Sequence, residues 1–171
     1  MSSEAIRDAL EKLSQTIREH PEKAGGKNSA ATATLREGLG FQIAGPRGEK
    51  AETDMPRAMG GAAAAPNPGW LLRAALASCI GSVITMRAAS LGIALETLEV
   101  AVESESDTRG MLGLDEKISA GLSGLQTRVR IGAANAGADQ LQEIVRWAAE
   151  HSPVACTLRE TAGKGVEVVV V

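Results

Sequence analysis

The chain contains two cysteines, and their positions could support thiol redox chemistry. Cys79 lies in the middle of the most apolar segment, residues 70–84, whereas Cys156 follows Ser152 and Pro153, a pair typical of a helix start. One thiol within a buried helix and another near a helix start is the arrangement of a dithiol site. Two cysteines that only pack in a core give the same pattern, so the residues alone leave both interpretations open.

A redox role would require Cys79 to react as a thiolate, because the thiolate is the nucleophilic form. Burial in a helix disfavours this charged form, so a cation must lie nearby. On the same helix, Arg73 falls about 120° around the axis from Cys79, and Arg87 falls about 12 Å along it. Neither is well placed, and the cation is therefore expected from another part of the chain.

The elements that must position these thiols are those of an α+β domain. Hydrophobic periodicity predicts helices over residues 4–19, from Pro68 to about Ser90, and over 138–150. Alternation predicts short strands within residues 28–54 and longer strands over 95–105, 117–132 and 166–171, with a low-complexity linker at 60–65. Because strands and helices follow one another in separate runs, the pattern favours an α+β fold over a βαβ repeat.

The composition limits the partners of the protein. The 171 residues include one Phe, two Trp and no Tyr, so the core must consist of Ala, Leu, Val and Ile. Small residues fill little volume, and we expect a second copy of the chain to complete part of the core. The net charge of −3, with acids and bases interspersed, argues against a nucleic-acid partner.

The apolar run at residues 70–93 approaches the length of a membrane span. It contains Arg73 and Arg87 together with several Ser and Gly residues, which favours a buried central helix and predicts no membrane partner. The first residues do not resemble a signal peptide, so we expect a cytoplasmic protein with reduced cysteines. His20 and His151 lack the spacing of metal ligands, and neither a metal nor a cofactor is expected.

Three segments resemble the OsmC/Ohr family, which comprises osmotically inducible protein C and organic hydroperoxide resistance protein. The family's first-cysteine helix is similar to Asn67-Pro68-x-x-Leu71-Leu72 with Ala75-Leu76-Ala77-Ser78-Cys79. Its second-cysteine segment is similar to Ser152-Pro153-Val154 with Thr157-Leu158. Its early strand and active-site arginine are similar to Ala31-Thr32-Ala33-Thr34 with Arg36. The resemblance covers roughly residues 28–170 and predicts a helical extension over residues 1–25 before an OsmC-like domain over residues 26–171.

The resemblance implies an intertwined homodimer in which a curved antiparallel sheet packs around a central helix. It also implies reduction of organic hydroperoxides, with Cys79 as the nucleophile and Arg36 as the clamp for thiolate and peroxide. Arg47 and Arg57 are the fallback cations. The residues expected to line an apolar substrate pocket are Leu72, Leu76, Met86 and Trp70.

The chain departs from the family pattern at two catalytic positions. Ser152 stands where the resolving cysteine is usual, and Gly69 stands where an acid usually follows Asn67-Pro68. Cys156 lies one helical turn beyond Ser152, and a one-turn displacement moves a sulfur by about 5–6 Å. Since a disulfide requires Cα atoms about 4.4–6.8 Å apart, Cys156 resolves Cys79 only if this segment shifts.

Two functions therefore stay open from the sequence. The first is thiol-dependent reduction of organic hydroperoxides, supported either by a Cys79–Cys156 disulfide or by an external thiol or dithiol reductant. The second is a redox-silent OsmC-like protein that binds an apolar small molecule at the dimer interface. Gly69 and Ser152 favour the second, because both replace groups that the family's reaction uses.

Overall fold

The computed structural model describes residues 2–160, which form two compact units. Among these residues, the first unit comprises 2–10, 75–101 and 127–160, and the second comprises 11–74 and 102–126. The strand predicted over residues 166–171 lies outside the described residues.

Helices and strands follow one another in the order expected of an α+β fold, which confirms the predicted fold class. The helices of the described residues are α1 (Ser3–Glu19), α2 (Pro68–Ser90), α3 (Thr108–Met111), α4 (Ala138–His151) and α5 (Pro153–Arg159). The strands are β1 (Thr32–Leu35), β2 (Phe41–Ala44), β3 (Lys50–Thr53), β4 (Thr97–Glu105) and β5 (Ser123–Gly132). Strands β1, β2 and β3 form an antiparallel sheet in that order, and β4 pairs with β5.

The ends of α2 follow from local sequence signals. The side chain of Asn67 accepts a hydrogen bond from the N–H of Trp70 at 2.9 Å, and Pro68 is the first helical residue. Asparagine is a favoured cap, and proline suits the first turn because its missing N–H would have no partner there. At the other end, Gly92 adopts a φ of +71°, which lets the N–H of Ile93 bond to the carbonyl of Ala88.

The core of the first unit is built from aliphatic and small side chains, as the composition predicts. The buried apolar residues of this unit are Leu76, Ile80, Val83, Ile84, Ala88, Ala89, Ile93, Leu141, Ile144, Ala148 and Ala155. The guanidinium carbon of Arg87 lies 4.8 Å from the centre of the Trp147 ring, a cation–π contact between α2 and α4. The Arg87–Trp147 contact joins the half of α2 that carries Cys79 to α4.

Helix α2 is also long and apolar enough to cross a membrane, judged by length and composition alone. It has 23 residues, its most apolar 18-residue window has a mean hydropathy of 1.4, and 22% of that window is buried within the single chain. Core helices of soluble proteins have similar length and hydropathy. Three large apolar side chains of α2, those of Trp70, Leu72 and Met86, are exposed in the isolated chain.

The strand predicted over residues 117–132 is shorter than expected. Strand β5 begins only at Ser123, because two side chains upstream turn the backbone. The carboxylate of Asp115 accepts the N–H of Lys117, and the hydroxyl of Ser119 accepts the N–H of Gly121. Such short side-chain-to-backbone bonds compete with strand pairing, and here they form a turn.

Candidate functional site

Cys79 and Ser152 meet in the first unit although 73 residues separate them in sequence. The hydroxyl of Ser152 donates a hydrogen bond to the sulfur of Cys79 at 3.1 Å. Ser152 is fully buried, with 0% of its surface exposed, whereas Cys79 is half-buried. The contact therefore joins a partly accessible thiol to a hydroxyl that is shielded from water.

The junction of α4 and α5 holds Ser152 in place. Helix α4 ends at His151, Ser152 caps α5, and Pro153 is the first residue of α5. The Ser152 oxygen accepts the N–H of Ala155 at 3.3 Å, which is the usual bond of an N-cap residue. The predicted cap and helix start at these positions are confirmed.

Cys156 has different partners from Cys79. Its thiol donates to the carbonyl oxygen of Glu150 at 3.1 Å and accepts a hydrogen bond from the guanidinium of Arg159 at 3.1 Å. The same guanidinium donates to the carbonyl of Ala149 at 2.9 Å. Both cysteines are free thiols, and the structure places Ser152 rather than Cys156 against Cys79.

The predicted cations lie in the second unit, whereas Cys79 belongs to the first. Arg36 is exposed in the turn that follows β1, where its N–H bonds to the carbonyl of Gly40 at 2.9 Å. The guanidinium of Arg47 pairs with Glu49 at 3.2 Å, and Arg57 opens a short 3₁₀ helix. The role of Arg36 as a clamp stays a prediction.

The four residues predicted to line a substrate pocket are divided between the units. Leu76 is buried in the first unit, where Met86 is 37% exposed. In the second unit, Trp70 lines a cavity of about 360 Å³, and Leu72 lines another of about 620 Å³. The larger cavity is bordered by three methionines, Met55, Met59 and Met111. A shared pocket for the four residues stays a prediction.

The backbone of Gly69 borders the larger cavity beside a cation. A Cβ atom at this position would lie 3.8 Å from a guanidinium nitrogen of Arg73 and 3.3 Å from the side-chain oxygen of Asn67. That guanidinium donates to the hydroxyl of Ser104 at 3.1 Å. An acidic side chain at position 69 would therefore have Arg73 as a basic neighbour one turn away. In this chain position 69 is a glycine, so that acid is missing.

Asp54 is a buried carboxylate that sequence reasoning missed. It is 5% exposed and accepts hydrogen bonds from the N–H groups of Met55, Ala62 and Ala64 at 2.7, 3.0 and 3.0 Å. The hydrogen bond from the N–H of Ala64 is the largest cause that lowers the pKa of Asp54. Burial raises this pKa, and the hydrogen bonds from Met55 and Ala62 lower it further. The available signal was an acid at the end of a strand, followed by a Gly-rich segment.

The segment 60–65, predicted to be a low-complexity linker, connects two elements without a helix or strand of its own and lies around this carboxylate. The N–H of Ala63 bonds to the carbonyl of Met55, and a Cβ atom at Gly61 would overlap that same carbonyl. Small residues allow this close backbone packing. The loop leads directly into the cap of α2.

Replacing Asp54 by Asn is expected to lower the thermal midpoint at pH 7 by about 5 °C, because an amide cannot accept all three bonds as an anion does. A carboxyl whose folded pKa is depressed stabilises the fold above its unfolded pKa, about 3.9, and loses this effect as the pH falls further. The difference between Asp54→Asn and wild type should thus shrink below about pH 4. Thermal unfolding at pH 7 and at about pH 3 tests this, with exposed Asp8→Asn as the control; an equal difference at both pH values would contradict it.

A family model described as OsmC-like protein matches residues 60–164, a range that includes Gly69, Cys79, Ser152 and Cys156 but not Arg36. None of the curated proteins compared with the chain is significantly similar to it.

The fold is similar to that of several solved structures. One is the organic hydroperoxide resistance protein OsmC from Legionella pneumophila, with 24% identity, a TM-score of 0.58, and coverage of 79% of this chain and 91% of that one. An OsmC-like protein from Mycoplasma pneumoniae has 19% identity and a TM-score of 0.66, and the match covers 79% of this chain and 89% of that one. The organic hydroperoxide resistance protein OhrB of Bacillus subtilis has 22% identity and a TM-score of 0.52, and the match covers 78% of this chain and 91% of that one. At these identities the similarity establishes the fold.

Proposed function

The chain belongs to the OsmC-like protein family, and on that premise we propose that it reduces organic hydroperoxides with Cys79 as its nucleophile. The observation that carries the proposal is the half-buried thiol of Cys79, to which a buried hydroxyl donates a hydrogen bond at 3.1 Å. Two similar structures are of proteins named for organic hydroperoxide resistance, which supports the substrate class.

The proposed reaction begins with attack of the Cys79 thiolate on the terminal, hydrogen-bearing oxygen of the hydroperoxide. The O–O bond breaks, Cys79 becomes a sulfenic acid, and the other oxygen takes a proton from solvent and leaves as an alcohol, or as a carboxylic acid if the substrate is an acyl hydroperoxide. Arg36 is proposed as the cation that steadies thiolate and peroxide. The apolar group of the substrate would contact Leu72, Leu76, Met86 and Trp70, so alkyl or acyl hydroperoxides are preferred over hydrogen peroxide.

Reduction of the oxidised cysteine is proposed to use an external thiol. The Cys156 thiol, on α5, is hydrogen-bonded to the carbonyl of Glu150 near the end of α4 and to Arg159. Ser152 occupies the place beside Cys79. One thiol would condense with the sulfenic acid to a mixed disulfide and release water, and a second would free Cys79. A dithiol reductant would supply both sulfurs.

The assembly is proposed to be a homodimer of cytoplasmic chains, each with a helical extension over residues 1–25 and an OsmC-like domain over 26–171. Support comes from α2, on which Trp70, Leu72 and Met86 are exposed in the single chain. Burying such a surface against a second copy would be favourable.

Light scattering at micromolar concentration is expected to give twice the chain mass of 17.6 kDa. Dilution over a wide concentration range serves as the control, because a weak dimer would dissociate. A monomer mass throughout would contradict the proposed assembly.

The function itself is tested by intact mass after reduced protein receives one equivalent of cumene hydroperoxide. We expect wild type and Cys156→Ser to gain one oxygen atom and Cys79→Ser to gain none. Loss of two hydrogen atoms that either substitution abolishes would instead show a disulfide between Cys79 and Cys156. No change in wild type would contradict peroxide reduction.

A second candidate function is the binding of an apolar small molecule without redox chemistry. The methionine-lined cavity of about 620 Å³ beside Gly69 favours it, since this volume suits a small organic ligand. Under this alternative, hydroperoxide would leave the mass unchanged, and Cys79 would stay unreactive toward thiol reagents until the protein is denatured.

A further inference from the structure

The Ser152 hydroxyl has a defined set of partners. A serine hydroxyl offers one donor and two acceptor lone pairs. The N–H of Ala155 donates to the Ser152 oxygen at 3.3 Å, and the Ser152 hydrogen is directed to the sulfur of Cys79 at 3.1 Å. Because the residue is fully buried, bulk water does not compete for this donor. The donor is therefore committed to the thiol.

Such a donor has a larger effect on a thiolate than on a thiol. Hydrogen bonds to an ionised acceptor are stronger than those between neutral groups, and they favour the charged form. The amide at Ala155 polarises the hydroxyl in the same direction, because chains of hydrogen bonds strengthen one another. We infer that Ser152 is a positioning residue that stabilises and orients the thiolate of Cys79.

A hydroxyl rather than a thiol at position 152 also determines how oxidised Cys79 is reduced. This part of the inference rests on the proposed function, because it begins from an oxidised Cys79. Serine cannot form a disulfide, so the sulfenic acid persists until an external thiol attacks its sulfur, expels water and leaves a mixed disulfide. A second equivalent of thiol attacks that disulfide, regenerates Cys79 and departs as the oxidised reductant.

The first test measures the pH dependence of Cys79 alkylation by iodoacetamide, followed on the Cys79 peptide by mass spectrometry. Ser152→Ala is expected to move the midpoint of the profile upward by about one pH unit, because the thiolate loses a donor. Ser152→Thr, which keeps the hydroxyl, should restore the midpoint. Ser78→Ala is the matched control, since the exposed Ser78 hydroxyl bonds to the Ala75 carbonyl on its own helix. An unchanged midpoint in Ser152→Ala would overturn the inference.

The second test uses Ser152→Cys, which places a thiol where the hydroxyl contacts Cys79. With diamide as oxidant, this variant should lose two hydrogen atoms and form a disulfide between Cys79 and the introduced cysteine, whereas wild type should not. Failure to form that disulfide would overturn the positioning geometry, even if Ser152→Ala proved too unstable to assay. Neither test requires a peroxide. If the alkylation midpoint shifts in Ser152→Ala but cumene hydroperoxide does not oxidise Cys79 in wild type, the proposed function is rejected and the inference stands.

The third test concerns the reductant. After one equivalent of cumene hydroperoxide, wild type is expected to hold one added oxygen atom, and addition of a single equivalent of glutathione should convert it to a mixed disulfide on Cys79. Ser152→Cys should lose two hydrogen atoms instead and form no glutathione adduct. An internal disulfide in wild type would contradict the requirement for an external thiol.

Discussion

Replacing Cys79 by Ser is expected to lower the rate of cumene hydroperoxide consumption by about a thousandfold or more, to the uncatalysed background. The O–O bond is broken by a thiolate, and an alkoxide of serine is not available near neutral pH. The substitution changes little in volume, and it keeps a polar atom within reach of Ser152. Loss of activity would therefore report the missing sulfur rather than a damaged fold.

The measurement is peroxide consumption with dithiothreitol as the reductant, at matched protein concentration. Cys156→Ser is the comparison, because the Cys156 thiol is bonded to Glu150 and Arg159 and not to Cys79. We expect it to retain activity within about threefold of wild type, the range expected of a substitution that removes no reacting group. Equal losses in both variants would show that the two thiols act together, and full activity in Cys79→Ser would reject Cys79 as the nucleophile.

Replacing Ile144 by Ala is expected to lower the free energy of unfolding by about 3 kcal/mol, within the range for large-to-small core substitutions. Ile144 is 1% exposed on α4, in the core that carries both α2 and the α4–α5 junction. Removing three carbon atoms loses apolar burial and leaves a cavity that close-packed neighbours fill only in part.

Urea denaturation of wild type, Ile144→Ala and Leu13→Ala tests this at one protein concentration, since assembly would otherwise change the apparent stability. Leu13 lies on α1 and is 57% exposed, so its substitution should change the free energy by no more than about 0.5 kcal/mol. If the two variants were equally stable, Ile144 would not be part of a packed core. We also expect Ile144→Ala to react faster with thiol reagents at Cys79, because local opening exposes it.

Local signals in the sequence determined the helices and most of the strands. The apolar repeat of α1, the Asn67-Pro68 start of α2 and the Ser152-Pro153 start of α5 each lie within a few residues of the structure that they specify. The alternation along β4 appears in the structure as a regular exchange of exposed and half-buried side chains. Such patterns are readable because helix and strand have fixed periods.

The sequence also carried the family, since the Cys79 helix and the Ser152 segment lie within the matched range. The resemblance also predicted two departures from the family pattern, at Gly69 and Ser152, and these stay predictions. The reaction also depends on which side chains lie close together in the fold. The roles of the individual residues therefore stay proposals.

Only the tertiary structure decided which groups meet. No local pattern relates Ser152 to Cys79 across 73 residues, or relates the buried Asp54 to the N–H groups of Ala62 and Ala64. These contacts arise when separate elements pack, and packing depends on the whole chain rather than on neighbours in sequence. For that reason the sequence supplied the thiol, and the fold supplied the hydroxyl that faces it.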